Sequence, residues 1–253
     1  MTLQAFFTAH PRAALAFSGG VDSAFLLWAA RACGAEIQPY YVNSQFQPAF
    51  ELSDAKRLCR ELGAPLTVLD VDVLTVPEVV ANGPRRCYFC KRAIFSAIAA
   101  RAKADGFDLL LDGSNASDDA GDRPGMQALR ELSVRSPLRE CGLTKAEIRE
   151  RSREAGLFTW DKPAYACLAT RIETGTPITS AALETTEAAE AALTALGYRD
   201  FRVRMREGGR CALLQFTAAD RARYLADKDA ADAALRPYYE HITLDQGVRS
   251  GHG

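Results

Sequence analysis

Cys87 and Cys90 stand three positions apart in the stretch RRCYFCKR, and Cys167 lies far downstream in KPAYACLATR. Thiols in that pattern can form a disulfide, bind zinc, hold an iron–sulfur cluster, or surrender their own sulfur. Seven cysteines is an odd number, so complete internal pairing is impossible. The opening residues MTLQAFFTAHPRAALAF carry no basic segment ahead of an apolar stretch, so no signal peptide is expected and the thiols are expected reduced, in a cytoplasm. Zinc needs two more ligands, and the three histidines, His10, His241 and His252, sit in no ligand-like context. A redox Cys-x-x-Cys would open a helix after the first strand of a thioredoxin-like unit, which this pattern does not match. Two neighbouring thiols and one remote thiol fit a [4Fe–4S] cluster with three protein ligands, Cys87, Cys90 and Cys167, whose fourth iron is open to an exogenous sulfide. Zinc and no metal at all remain the alternatives on the residues alone. Cys33 and Cys59 fall in helical patterns and read as core, and Cys141 and Cys211 read as incidental.

A second cluster of chemistry is FSGGVDS, residues 17–23. A short apolar run ends there, two glycines permit a tight turn, and a helix follows. Such a turn lets backbone approach an anion, and the helix start offers unpaired N–H groups and a positive dipole end. Ser18 and Ser23 add hydroxyl donors. DGSNASDD, residues 112–119, ends a later strand. There Gly113 is expected to let backbone approach a nucleotide, Asn115 to bond ribose or base, and Asp118 to hold Mg2+.

These stretches need a scaffold that sets them side by side. AALAF (13–17), EIQPYYVNS (36–44), PLTVLDVDV (65–73) and FDLLLDGSN (107–115) read as strands. Between them lie helical patterns over about 22–33, 49–63 and 87–106. This alternation predicts an α/β fold with a doubly wound parallel sheet, whose ligands bind at the C-terminal strand ends. After about residue 172 the pattern becomes a helix (180–197), a hairpin (200–205 and 210–216), a helix (218–236) and a strand (239–244), a small α+β domain. The expected division is residues 1–172 and 173–253, with the tail RSGHG unstructured. A length of 253 residues suffices for two such domains. A net charge of −1 favours neither nucleic acid nor an anionic membrane, and no apolar run approaches the about 20 residues of a membrane helix.

The first loop lacks the Lys-Ser/Thr ending of a P-loop and resembles the SGGxDS loop of the ATP pyrophosphatase (PP-loop) superfamily, with its adenine nucleotide alpha hydrolase-like fold. That resemblance implies that Ser18, Gly19, Gly20, Asp22 and Ser23 hold pyrophosphate, with Asp22 near Mg2+, while AMP is placed on a substrate oxygen. The first loop, GSNASDD, SPL (136–138), KPAYACLATRI (162–172) and ITLDQGVRSG (242–251) together resemble, in order and over nearly the whole chain, the LarE family of sulfur-inserting enzymes. The resemblance implies ATP-dependent adenylation of both carboxylates of a pyridinium dicarboxylate mononucleotide, then conversion to thiocarboxylates, in nickel-pincer nucleotide biosynthesis. Sulfur comes from a sulfide on a cluster held by Cys87, Cys90 and Cys167, or from Cys167 itself, which would be left as dehydroalanine. The pair CYFC favours the cluster route and a sulfide or other sulfur donor as partner.

Further roles follow the same resemblance. Thr170 and Arg171 are expected at a phosphate or substrate carboxylate, Arg171 among the catalytic residues with Asp22 and Cys167. Glu187 and Glu190 are expected near substrate, and Arg202 and Arg204, alternating on one strand face, at the substrate phosphate. Where family members often read ARIE in the hairpin, this chain has ALLQ, residues 212–215. The family also implies a homo-oligomer, a hexamer. Rival readings are a cluster-dependent tRNA thiolase, an ammonia-using amide ligase, which leaves the cysteines without a role, and a nucleotide-binding regulator without chemistry. Neutral net charge speaks against the first, intact Asp22, Asp118 and Cys167 against the last, and the KPAYACLATRI block does most to separate them.

Overall fold

A computed structural model describes residues 1–118 and 124–249. Asp119 and residues 250–253, which hold the ends of two of the motifs above and most of the tail, lie outside the described residues. The chain divides into two compact units, residues 1–76 with 85–162, and residues 77–84 with 163–253. Residues 163–172, including Cys167, thus cluster with the second unit.

The first unit runs α1 (Leu3–Ala9), β1 (Arg12–Ala16), α2 (Val21–Ala32), β2 (Glu36–Asn43), α3 (Ala49–Glu61) and β3 (Thr67–Asp70). After the short helix α4 (Pro77–Val80), which belongs to the second unit, it resumes with α5 (Arg86–Ala104), β4 (Leu110–Leu111), α6 (Pro124–Glu131), α7 (Pro137–Glu140) and α8 (Lys145–Glu154). The four strands form one parallel sheet in the order β3-β2-β1-β4. In register, Leu15 faces Pro39 on one side and Leu111 on the other.

The sheet is covered on both faces, and the residues show why. Successive strand residues point to opposite faces. Ala13, Leu15 and Tyr41 enter one buried cluster with Phe25, Leu26, Leu58 and Ile148. Ala14 and Tyr40 enter another with Ile98, Ala102 and Phe107. A strand buried on both faces reads as a continuous apolar run, which is what AALA is. The expected strands over 65–73 and 107–115 are shorter than the pattern suggested. Asp72 ends the first by capping a 3-10 turn, Val73–Thr75, through the Leu74 N–H. The second pairs with β1 only at Leu110 and Leu111 before Asp112 turns away.

The second unit holds α9 (Ser180–Ala195), β5 (Phe201–Arg206), β6 (Cys211–Phe216), α10 (Ala218–Ala226), α11 (Lys228–Leu235) and β7 (His241–Leu244). β5 and β6 are antiparallel, and β7 joins β6 in parallel, giving a small mixed sheet. The helix expected over 218–236 breaks at Asp227, which closes α10 and opens α11. The break lets Asp232 accept from the Tyr224 hydroxyl at 2.7 Å and pair with Lys228. No helix among the described residues is long and apolar enough to cross a membrane.

Leu15 is fully buried at the centre of the larger sheet. Leu15→Ala is expected to lower unfolding stability by about 2–5 kcal/mol, the range for emptying such a site. Urea denaturation followed by circular dichroism measures it.

Candidate functional site

The first loop is built by its own backbone and two serines. β1 ends at Ala16, and Gly19 takes φ +71, where a side chain is strained. A Cβ there would also stand 3.2 Å from the Ala55 side chain and backbone. Ser18 and Ser23 hydroxyls lie 3.1 Å apart, the Ser18 N–H donates to the Ser23 hydroxyl, and the Gly20 N–H donates to the Ser18 hydroxyl. Gly20 caps α2 without a side-chain hydrogen bond, so the helix start keeps donors for an anion.

Asp22 lies in the first turn of α2. Its Oδ2 accepts from Lys145 Nζ at 2.6 Å and its Oδ1 from Asn115 Nδ2 at 3.3 Å. Burial raises its pKa above the ordinary carboxylate value, against the pull of Lys145 and with a further push from the negative Asp118. Lys145 is placed there because Thr144 and Glu147 form a reciprocal capping box at the start of α8.

The second loop packs directly on the first. A Cβ at Gly113 would come within 3.0 Å of the Ser23 backbone nitrogen, so glycine here admits the neighbouring loop. Buried Asn115 bonds Asp22 and accepts from the Ser117 N–H, so its amide ties the two loops together. Asp118 is exposed, and its Oδ2 accepts from the Asn115 N–H at 2.8 Å. Asp112 accepts from Ser114 and Ser136 hydroxyls, and Arg139 donates to the Asn115 and Asp118 carbonyls. The structure thus brings Ser18, Gly19, Gly20, Asp22, Ser23, Gly113, Asn115 and Asp118 to one end of the sheet. Asp22 and Asp118, two interacting carboxylates, suit a hard cation such as Mg2+.

Lysine and arginine residues outside the expected set join this loop. Lys162 Nζ donates to Asp54 Oδ2 at 2.7 Å and to the Gly19 carbonyl at 3.4 Å. Arg149 donates to the Trp160 and Lys162 carbonyls. Their signals were present in LTKAEIRER and KPAYAC, a cation at a capped helix start with another four positions on, and a lysine ahead of the cysteine.

Cys87 and Cys90 lie in the first turns of α5, Cys87 exposed and Cys90 half-buried. An i,i+3 spacing sets both thiols on one helix face. Arg85 stacks over Tyr88 at 4.6 Å, with Arg92 over the same ring at 5.8 Å, and the Tyr88 hydroxyl donates to Glu131 on α6.

In the second unit Cys167 precedes a 3-10 turn, Leu168–Arg171, and is half-buried. Arg171 is fully buried. Its Nε and Nη2 donate to both oxygens of Glu190 at 2.8 and 3.0 Å, and its Nη1 donates to the Ala166 carbonyl at 2.6 Å and to the Thr170 hydroxyl. Glu190 also accepts from the Tyr165 hydroxyl at 2.6 Å and the Val203 N–H at 3.0 Å. Thr170 donates to the Cys167 carbonyl. These groups hold the backbone on both sides of the cysteine. Glu187 is half-buried three residues earlier on α9.

Arg202 and Arg204 are half-buried on β5. Burial first, then Arg249, Arg171 and Arg204, push the Arg202 guanidinium down to about 10. Arg204 is lowered by burial and by Arg206, and donates to the Thr170 carbonyl and to Gln215. Gln215, the last residue of the divergent ALLQ, also donates to Asp245. No group of three or more His, Cys, Asp or Glu side chains among the described residues is placed to hold a metal. Cys87 and Cys90 belong to the first unit and Cys167 to the second.

A family model described as Queuosine biosynthesis protein QueC matches residues 12–81, which contain the first loop. An uncharacterized protein of Synechocystis is 36% identical over 203 residues, 80% of this chain and 76% of the relative. The pyridinium-3,5-bisthiocarboxylic acid mononucleotide synthase of Lactiplantibacillus plantarum is 31% identical over 244 residues, 95% of this chain and 88% of the relative. This chain belongs to the LarE family. As a LarE-family member it is an ATP-using sulfurtransferase of the PP-loop class. A tRNA-5-methyluridine(54) 2-sulfurtransferase of Pyrococcus horikoshii is 31% identical over 121 residues, 45% of this chain and 38% of the relative.

The Arg171–Glu190 pair generates a stability prediction. Glu190→Gln leaves a buried guanidinium without its counter-charge and is expected to cost about 3–5 kcal/mol. Tyr165→Phe removes one bond to the carboxylate and is expected to cost about 1.5–3 kcal/mol. Urea unfolding of both variants checks the order.

Proposed function

We propose that this LarE-family chain adenylates the carboxylates of a pyridinium dicarboxylate mononucleotide and exchanges each adenylate for sulfur, in nickel-pincer nucleotide biosynthesis. The observation that carries this reading is the likeness, over 95% of the chain, to a protein named as the synthase of the bisthiocarboxylic mononucleotide. The two-loop site at the sheet end supports it. A substrate carboxylate oxygen attacks the α-phosphorus of ATP, and pyrophosphate leaves. Ser18, Gly19, Gly20 and Ser23 offer the donors that hold the pyrophosphate, and Asp22 and Asp118 would hold Mg2+, which neutralises phosphate charge. Sulfur then attacks the acyl carbon and AMP departs.

In this reading Cys87, Cys90 and Cys167 are the thiol ligands of a [4Fe–4S] cluster, two of them in the first turns of α5. Such a cluster, when bound, supplies a sulfide as the nucleophile. Arg171, Glu190 and Tyr165 act as positioning residues in this reading, since they fix the backbone around Cys167 while buried. Thr170 assists them through the Cys167 carbonyl. Arg202 and Arg204 are the binding groups for the substrate phosphate, where like charges crowd and an anion relieves them. Glu187, three residues before Glu190 on α9, is a binding group for substrate in this reading. Assembly as a homo-hexamer in the cytoplasm completes the reading, and nucleic acid and membrane take no part in it. The tRNA thiolase reading is weaker because likeness to tRNA thiolases covers 45% to 60% of this chain in the relatives found, against 95% for the bisthiocarboxylic mononucleotide synthase.

Iron and acid-labile sulfide per chain, measured on anaerobically purified wild type and Cys87→Ala, test the sulfur source. About four irons in the wild type, lost in the variant, are expected. Absence of both iron and zinc overturns the cluster, leaving Cys167 as the donor, and a loss of mass equal to hydrogen sulfide from the chain after ATP and substrate then identifies it. ATP-dependent appearance of thiocarboxylate on the dicarboxylate nucleotide tests the reaction, and thiolation of tRNA in its place overturns it.

A further inference from the structure

Two lysines converge on one loop from distant points in the chain. Lys145 reaches Asp22 from the first turn of α8, and Lys162 reaches the Gly19 carbonyl from beyond that helix. Their side chains are only 14% and 15% exposed. Burying an ammonium group is costly unless it meets negative charge, and a surface salt bridge repays little. Each is held by a carboxylate, Asp22 or Asp54, at the rim of a turn built for an anion. α8 serves both. Lys145 at its start is followed four positions on, one turn along the same face, by Arg149. The Arg149 guanidinium grips the Trp160 and Lys162 carbonyls and so sets the backbone from which Lys162 projects.

We propose that Lys145 and Lys162 form a two-lysine clamp on the β- and γ-phosphates of ATP, and that Arg149 is a positioning residue for Lys162. This rests on the ATP reading given above. When the substrate oxygen bonds to the α-phosphorus, the bond from that phosphorus to the bridging oxygen breaks and its electron pair leaves on pyrophosphate. Two ammonium groups at that end of the loop stabilise the charge as it develops and need no proton transfer. Asp22 and Asp54 hold the lysines in place until the phosphates arrive, and Lys162 exchanges Asp54 for phosphate oxygen.

The test is calorimetric titration of the full chain, with Mg2+, by the α,β-methylene analogue of ATP and separately by AMP. Lys145→Gln and Lys162→Gln are each expected to weaken the analogue roughly tenfold or more, about 1.4 kcal/mol per tenfold, while AMP changes by less than about twofold. Arg149→Gln shows the same selectivity with a smaller loss. Asp54→Asn frees Lys162 and leaves the analogue's affinity unchanged or improved. If AMP and the analogue weaken together, or if Asp54→Asn mimics Lys162→Gln, the lysines are structural and the clamp is overturned. Unchanged analogue affinity in both lysine variants overturns it as well. Should the wild type itself bind no analogue, the failure lies with the ATP reading.

Discussion

The nucleotide end of the first unit depends on one carboxylate. Asp22 sits in the first turn of α2 with an oxygen for each of two visitors, the Asn115 amide from the second loop and the Lys145 ammonium from α8. Two segments that are far from it in sequence are thereby fixed to the start of one helix. Taking a carboxylate out of water disfavours its charge, and the raised pKa records that cost. The lysine and the amide offset it. Beside this bond Gly113 lies against Ser23, where a Cβ would stand 3.0 Å from the backbone nitrogen.

The second unit repeats the principle with the charges reversed. Arg171 is the buried ion, and Glu190 collects it together with Tyr165 and the Val203 N–H. A buried pair of this kind contributes specificity of shape more than net stability. Here the shape is that of the chain on either side of Cys167, since the guanidinium also grips the Ala166 carbonyl. A thiol half-exposed at the start of a 3-10 turn would otherwise move with its loop.

Much of the first unit was legible because short apolar runs alternating with helical patterns admit few folds, and Ser-Gly-Gly before a helix has a specific physical use. The glycine turn ahead of α2, the partnership of its two loops and the helix bearing Cys87 and Cys90 could all be read from residue types. The direction in which side chains point could not. Arg171 and Glu190 read as groups for substrate, yet they are found bonded to each other, nineteen residues apart in sequence. Asn115 read as a nucleotide contact and is found tying loops together. Lys145, in a surface-like helix pattern, and Lys162, in the stretch before Cys167, give no sign in the sequence of their direction, and only the fold reveals that both reach the same turn. Helix breaks were equally hidden. Asp227 interrupts an otherwise even pattern for the sake of a contact between Tyr224 and Asp232.

The contact between Gly113 and Ser23 also constrains how such a site can change. Position 113 has no room for a side chain while Ser23 keeps its backbone where it is. The two loops therefore form one exchangeable part. A chimera that imports the first loop from another nucleotide-binding sheet inherits a new backbone path at residue 23, and the old second loop will no longer seat on it. Grafts that carry both loops, with the helix start that bears Lys145, keep the mutual fit. This end of the sheet therefore changes as a block.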